Sequence, residues 1–450
     1  MMTSQSTRLP PPSEIQPTTN AQRLRGTGWK AHPTTPMTTS TSPPPSPVRP
    51  VTGPSILKLR VLEAKDQSTA LKLWHELEQR IGSAPLMASE AWTRTWLANY
   101  GETVRYRFLL AEDHGQLRGI CLYTESSERK APLLSLSTRH LGTAGDPISE
   151  SVVVEYNSFL VESNFRPAFI DAISHWLLTQ ASGDIVQLDG FTREEAQALT
   201  AHWPTVEVRE RESKYLDLSV IRTKGGELID TLGRSTRANL RKRLREYGDL
   251  QLEWAETLEA ADDIFNELVE LHQARWQADG QPGAFASRRF ASFQRQLLTE
   301  LFPQRRCVAF RVRHQGATVG CLFLLVDRGR MLDYLSGLAS FDQKPSPGLV
   351  AHYLCQCEAL KRGFTAYDFL VGDKRHKDNL STHSQVLTWI RLVRPTLKNR
   401  LVDALTQLKR RLSRHTTSAS PLPPGEGSGV SAAGSVNSTQ PTAPLTQEQE

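Results

Sequence analysis

The stretches YRFLLAEDHGQLRGICLYT (106–124) and RCVAFRVRHQGATVGCLFLLV (306–326) follow one plan. Each is a pair of apolar runs joined by a polar turn, at Asp113-His114-Gly115 and at His314-Gln315-Gly316, the pattern of a β-hairpin. Both keep a glycine four residues past the turn glycine, Gly119 and Gly320, followed by Cys121 and Cys321. Upstream, ASEAWTRTW and ASRRFASFQ each read as a helix opened by a serine, Ser89 and Ser287. The turn glycine lies 26 residues beyond that serine in the first stretch and 29 in the second.

Downstream the plan continues in both places. Strand-like sequence follows (PLLSLSTRHLG; RMLDYLSGL), then an amphipathic helix (FRPAFIDAISHWLLTQ; GLVAHYLCQCEALKRG), then a buried strand (DIVQLDGF; AYDFLVGD). Repeated agreement in order and spacing predicts an internal duplication. A helix between two strands predicts a crossover joining parallel strands, so the fold class is mixed α/β.

The 450 residues divide by composition. Residues 1–54 and 416–450 are rich in Pro, Ser and Thr and poor in aliphatics, and are expected to be disordered tails. Between them we expect an N-terminal domain at 55–232, a C-terminal domain at 233–395 and a basic amphipathic helix at 396–415. The net charge of +6 is mild and local. There is no run of about 18 apolar residues to span a membrane, and the N-terminus lacks the apolar core of a secretory signal. Five cysteines lie mostly in apolar segments, and Cys355-x-Cys357 has the wrong spacing for common zinc knuckles. Reduced, buried thiols in a cytoplasmic protein are expected, with neither a disulfide framework nor a metal site.

The antiparallel strands passing into a βαβ step resemble the GNAT acyltransferase fold. LGRSTRANLRKRLREYG, LHQARWQADGQPGAFAS, SPGLVAHY and YDFLVGD together resemble the CelD/BcsL-type (BioF-like) acetyltransferases associated with polysaccharide biosynthesis, a family similar to the tandem-GNAT FemABX transferases. The resemblance covers roughly 55–395. It implies two tandem GNAT-like domains and direct transfer of an acyl group from acetyl-CoA or another acyl-CoA. The acceptor would be an amine or hydroxyl of a small molecule or saccharide, such as a sugar, polysaccharide or cell-envelope precursor. Two alternatives stand beside it: an aminoacyl-tRNA-dependent transferase, and a non-catalytic scaffold with a degenerate GNAT fold. Nucleic acid is expected as a partner only under the first alternative.

Ser346 followed by Pro347 reads as an N-cap and first helical position. The free amides of such a helix start favour phosphate, and the resemblance makes it the coenzyme A diphosphate site. Lys344, Ser346, Gly348 and Leu349 are the candidate cofactor-binding residues there, with Ser336 on the preceding strand. The usual Gln/Arg-x-x-Gly-x-Gly/Ala pattern is absent. After the strand AYDFLV comes a charged run holding Asp373, Lys374, Arg375 and Lys377, where open α/β sheets place ligands. Asp373 is a candidate for orienting the acceptor or accepting its proton, against a salt-bridged loop; Asp368 and Lys377 are candidate substrate contacts, Asp368 against a structural carboxylate satisfied by backbone N–H groups. His272 and Trp276 share a helical face with Phe265 and Val269, read either as core or as the wall of a groove with His272 as base. Tyr334, like Ser336, is read either as a donor to the thioester oxygen or leaving thiolate or as an ordinary sheet residue. Arg234 and Arg241 sit on a basic helix with Ser235 as its expected cap, read as a solvated face or an anion contact. A second basic helix carries Leu397, Leu401, Leu405, Leu408 and Leu412 on one side, for packing on the body or touching an anionic membrane.

Overall fold

Two-residue loops close both predicted hairpins. His114 and Gly115 take φ of +47° and +79°, Gln315 and Gly316 +50° and +79°, the positive pair a type I′ turn demands. In the computed structural model, residues 57–416 are described, apart from 132–133, 341, 343–344 and 373, with side chains as far as 407. The tails lie outside these limits.

The first half runs β1 (Lys58–Glu63), α1 (Gln67–Ile81), α2 (Glu90–Tyr100), β2 (Arg105–Asp113), β3 (Gln116–Ala131), β4 (Leu134–Leu141), β5 (Leu160–Val161), α3 (Arg166–Thr179), β6 (Ile185–Thr192), α4 (Arg193–Thr200) and β7 (Glu207–Asp217). Helices α5 (Leu218–Lys224), α6 (Leu228–Thr231) and α7 (Arg234–Tyr247) connect it to the second. That half runs β8 (Gln251–Trp254), α8 (Leu258–Ala278), α9 (Arg288–Leu301), β9 (Cys307–His314), β10 (Ala317–Asp327), β11 (Arg330–Leu338), α10 (Pro347–Lys361), β12 (Ala366–Val371), α11 (Arg375–Leu380) and β13 (His383–Val393). Helix α12 (Leu397–Thr416) follows. Apart from the two-residue β5, the halves match element for element.

All strands join one sheet, in the order β1-β2-β3-β4-β6-β13-β7-β12-β11-β10-β9-β8, with β5 on β3. The last strand of each half is exchanged: β7 pairs with β12, β13 pairs with β6, and the two pair with each other at the centre. The division of the chain at 232/233 is therefore not a division of the sheet.

Helices α1, α2, α8 and α9 cover one face in a core that both halves share. There α2 meets α9, with Trp92 edge-on to Phe293 at 5.4 Å. The other face carries two separate cores, under α3 and α4 in the first half and under α5, α7 and α10 in the second. The repeated glycines allow close helix packing. A Cβ at Gly119 would lie 2.4 Å from the Phe169 ring of α3, and one at Gly320 2.8 Å from Leu338 and 3.2 Å from Ala351 of α10.

Capping differs in part from expectation. Ser89 and Ser287 do cap their helices, accepting from the amides of Trp92 and Phe290. Ser235 does not cap α7, which starts one residue earlier behind Gly233. Ser346 precedes α10 but takes a left-handed φ of +52° and its side chain makes no cap bond; Pro347 does open the helix. In that left-handed geometry the hydroxyl of Ser346 does not reach the amides it was expected to bind. The cysteines are free, four of them buried.

Candidate active site

The parallel pairing of β11 with β12 is short: Arg330↔Ala366, Met331↔Tyr367 and Leu332↔Asp368. Beyond Leu332 the strands part. On β12 the cause is local. Asp368 is fully buried, and its Oδ1 accepts the N–H of Leu370 at 2.7 Å. This side-chain bond holds Leu370 at φ +59°, a costly conformation for a non-glycine residue, and the ladder to β7 shifts between Asp368 and Val371.

Asp368 also ties three segments together. It accepts from Ser213 of β7 and from Tyr156 of the first half, both at 2.6 Å, and pairs with Arg330 of β11 at 2.5 Å. The guanidinium lies over the rings of Tyr156 and Tyr215. Asp368 is thus engaged by the fold, fully buried with three hydrogen bonds and an ion pair within the protein.

The parted strand ends hold a cluster of buried ionisable groups. Asp333 is buried on β11, facing α10, and its Oδ1 has no hydrogen-bond partner. Burial pushes its carboxyl up to about 7, against the pull of the Lys377 ammonium. Glu155, from the first half, accepts the Val371 N–H at 2.7 Å and is likewise raised by burial to about 7. His352 of α10 is fully buried, shares a 2.9 Å hydrogen bond with the Tyr367 hydroxyl, and lies parallel to the ring of His376 at 5.3 Å. Desolvation depresses both imidazoles to about 3, helped in His352 by Lys377 and in His376 by neighbouring positive groups including Lys374 and Arg275. Both rings are therefore neutral near pH 7.

Lys377 fills the gap. It is buried, with Nζ 3.0 Å from the carbonyl oxygen of Val371. A Cβ at Gly372 would stand 2.6 Å from that Nζ, so glycine leaves the room the ammonium occupies. Burial lowers the Lys377 pKa, while Asp333, Glu155 and Asp368 oppose the shift. This lysine, expected as a substrate contact, is buried as the counter-ion of the cluster. Asp333, His352 and His376 offer donor atoms within 4.8 Å of one another, a set that suits a transition metal by type. The Lys377 ammonium is buried in the same cluster and already lowers the Asp333 pKa, so a cation there would add to its charge.

The other expected residues are spread around this gap. Pro347 has no N–H, and the amides of Gly348 and Leu349 precede the first helical bond of α10, from Val350 to Ser346 at 3.2 Å. Tyr247 of α7 reaches the same entry, donating to the Pro345 carbonyl at 3.1 Å. His352 is one turn further along α10, so this helix start and the charged gap adjoin. Ser336 is half-buried on β11. Lys344 and Asp373 lie outside the described residues.

Tyr334 differs from expectation. It follows Asp333 on the strand and so faces the opposite side, buried beside Trp92, where its hydroxyl accepts from Gln294 at 2.8 Å. His272 accepts from the Trp276 indole at 3.1 Å and packs on Phe285, and burial lowers its pKa. Both side chains are only half-buried, beyond the fully buried part of α8 that ends at Leu268. Arg234 and Arg241 are exposed on α7. Away from the gap, a cleft of about 200 Å³ between α2 and α9 is floored by the Arg94–Glu300 ion pair.

Asp333, Glu155, His352 and His376 were not among the expected site residues. Asp333 carried the same signal as Asp368, a lone acid in an apolar strand; Glu155 carried none.

Residues 234–378 match the model of a family described as an acetyltransferase (GNAT) domain. No curated protein sequence matches the chain. Among solved structures, FemX is similar at 12% identity over 77% of this chain and 99% of that chain, with a TM-score of 0.47. The C-terminal domain of a protein from Agrobacterium fabrum, described as a lysylphosphatidylglycerol synthetase, matches at 11% over 75% and 96%, TM-score 0.45. A tandem GNAT protein from the clavulanic acid biosynthesis pathway matches at 11% over 75% and 100%, TM-score 0.36. Residues 234–378 of this mixed α/β protein are thus similar to GNAT acetyltransferase domains, which supports an acyltransferase.

Proposed function

We propose that the protein transfers an acyl group from acetyl-CoA or another acyl-CoA to an amine or hydroxyl of a saccharide or cell-envelope precursor. The observation that carries this reading is the adjacency of the α10 start to a parted β11/β12 pair lined with titratable groups. The orphan amides of Gly348 and Leu349, with the charge of Lys344 by sequence, suit a diphosphate. The four motifs resembling polysaccharide-associated acetyltransferases support the saccharide acceptor.

In the reaction the acceptor nitrogen or oxygen bonds to the thioester carbon, the C–S bond breaks, and the acceptor loses a proton while the thiolate gains one. A base matched to neutral pH is needed. Asp333, poised near 7 with an unpartnered oxygen, takes that role, directly or through a water. The Lys377 ammonium stabilises the developing oxyanion in a gap that excludes bulk water. Glu155 and Asp368 hold that ammonium in place. The neutral ring of His352 lies 3.7 Å from Asp333 and stacks on His376. Asp373, just past the strand, remains the proposed orienter of the acceptor.

Calorimetry with acetyl-CoA and with free coenzyme A tests the donor. Saturable binding of both is expected. No heat at millimolar ligand would remove coenzyme A from the proposal and turn attention to aminoacyl-tRNA as the donor.

A further inference from the structure

Helix α12 is held to the body at its first turn, and not by its apolar stripe. Amphipathic helices normally turn the apolar stripe inwards. Here the anchor is polar. Asn399 is 5% exposed, and its Nδ2 donates to the carbonyl oxygens of Asp184 and Arg394, both at 2.8 Å. At 3.6 residues per turn, Leu397 and Leu401 lie about 160° around the helix from Asn399. They point away from the body accordingly. Leu397, Leu401 and Leu405 are 82%, 51% and 40% exposed, three consecutive members of one i, i+4 row. The sequence continues the row with Leu408 and Leu412.

Charge says what could cover this row. Between Leu397 and Thr416 the sequence has six Lys or Arg against one acid, Asp403. Lys398 and Arg400 are exposed on either side of the leucines; Lys398 lies 3.8 Å from Asp184, a distance that leaves most of its surface open to solvent. Basic residues flanking an apolar stripe let the stems run along lipid while the heads reach anionic headgroups. A second copy of the helix would bring basic flank to basic flank, without the acidic partners that pair such helices.

We infer that α12 docks the protein on an anionic phospholipid surface, leucine row down, with its polar side still tied to β4, β6 and the segment after β13. The inference does not depend on the acyl donor.

Flotation of the full-length protein with vesicles tests it, using phosphatidylcholine alone and phosphatidylcholine with about a third phosphatidylglycerol. Binding is expected to the anionic vesicles, about ten-fold or more weaker to the neutral ones, and reduced by added salt. Leu401→Asp with Leu405→Asp should reduce binding about ten-fold or more, with an unchanged melting curve and unchanged heat on titration with acetyl-CoA. Arg400→Glu should weaken only the anionic binding. The inference is overturned by an absence of binding to anionic vesicles, by equal binding to both kinds, or by binding that the double aspartate variant leaves intact. It is also overturned if sedimentation shows a dimer that the double variant splits into monomers, which would give the row to a second copy.

Discussion

The two halves share a strand register but not its chemistry. In the first, β4 pairs with β6 through Thr138↔Ile185, Arg139↔Val186 and His140↔Gln187; in the second, β11 pairs with β12 through three equivalent steps. Position by position, Gln187 stands where the second half has Asp368, Thr138 where it has Arg330, and buried Leu141 where it has Asp333. One gap holds leucine and a His140–Asp189 pair at 3.6 Å, and the other is built from carboxylates around a buried lysine. A duplicated backbone can part its strands twice, but among the described residues only the second half buries a lysine among carboxylates there. The first half contributes differently, by reaching across with Glu155 and Tyr156 to hold the other gap's β12.

The sharpest way to break this comparison is to remove its rivet. Asp368→Ala leaves the half-buried Arg330 without a counter-charge and the Tyr156, Ser213 and Leu370 donors without an acceptor, and should cost ~3–5 kcal/mol in urea denaturation. Gln187→Ala, at the matching place, should cost about 1 kcal/mol or less, since Gln187 is half-buried and donates only to Asp189. Equal losses would mean the two positions are not functionally distinct.

Next is the base. Asp333→Asn should lower acyl transfer about 100-fold or more with the fold intact, and wild-type turnover should rise towards a plateau above about pH 7. Unchanged turnover would return Asp333 to a structural role.

A stability measurement sharpens the same point. The folded Asp333 carboxyl is raised from its ordinary value of 3.8 to about 7, so its contribution is full below 3.8 and lost as pH rises through 7. The depressed histidines act oppositely, losing stability as pH falls from 6.5 towards 3. Comparing Asp333→Asn with wild type cancels the histidine part. The difference should move in favour of the variant by ~1–3 kcal/mol between pH 4 and pH 8; a flat difference would contradict the raised carboxyl.

The smallest expected effect tests the symmetric part. Gly119→Ala drives a Cβ into the Phe169 ring at 2.4 Å and should cost ~2 kcal/mol. Gly320→Ala meets the end of the Leu338 side chain, which can yield, and should cost about 1 kcal/mol.

Much of the architecture was legible because its signals are local. Turn glycines with φ above zero, serine caps at Ser89 and Ser287, and apolar alternation each depend on a few adjacent residues. The same signal in YDFLVGD pointed to the end of β12, and the lone acid of MLDYLSGL would have pointed to Asp333. Glu155 and Tyr156 were out of reach, since their partners are more than 200 residues away.

By itself, the sequence determined a repeated α/β unit, an amphipathic basic helix at its end and a charged strand terminus. Tertiary structure alone decided that β7 and β13 change places, that Lys377 turns inwards among carboxylates, and that the leucines of α12 face outwards. The physical reason is that alternation and periodicity say which residues share a face, whereas the neighbour opposite that face is chosen by contacts distant in the chain.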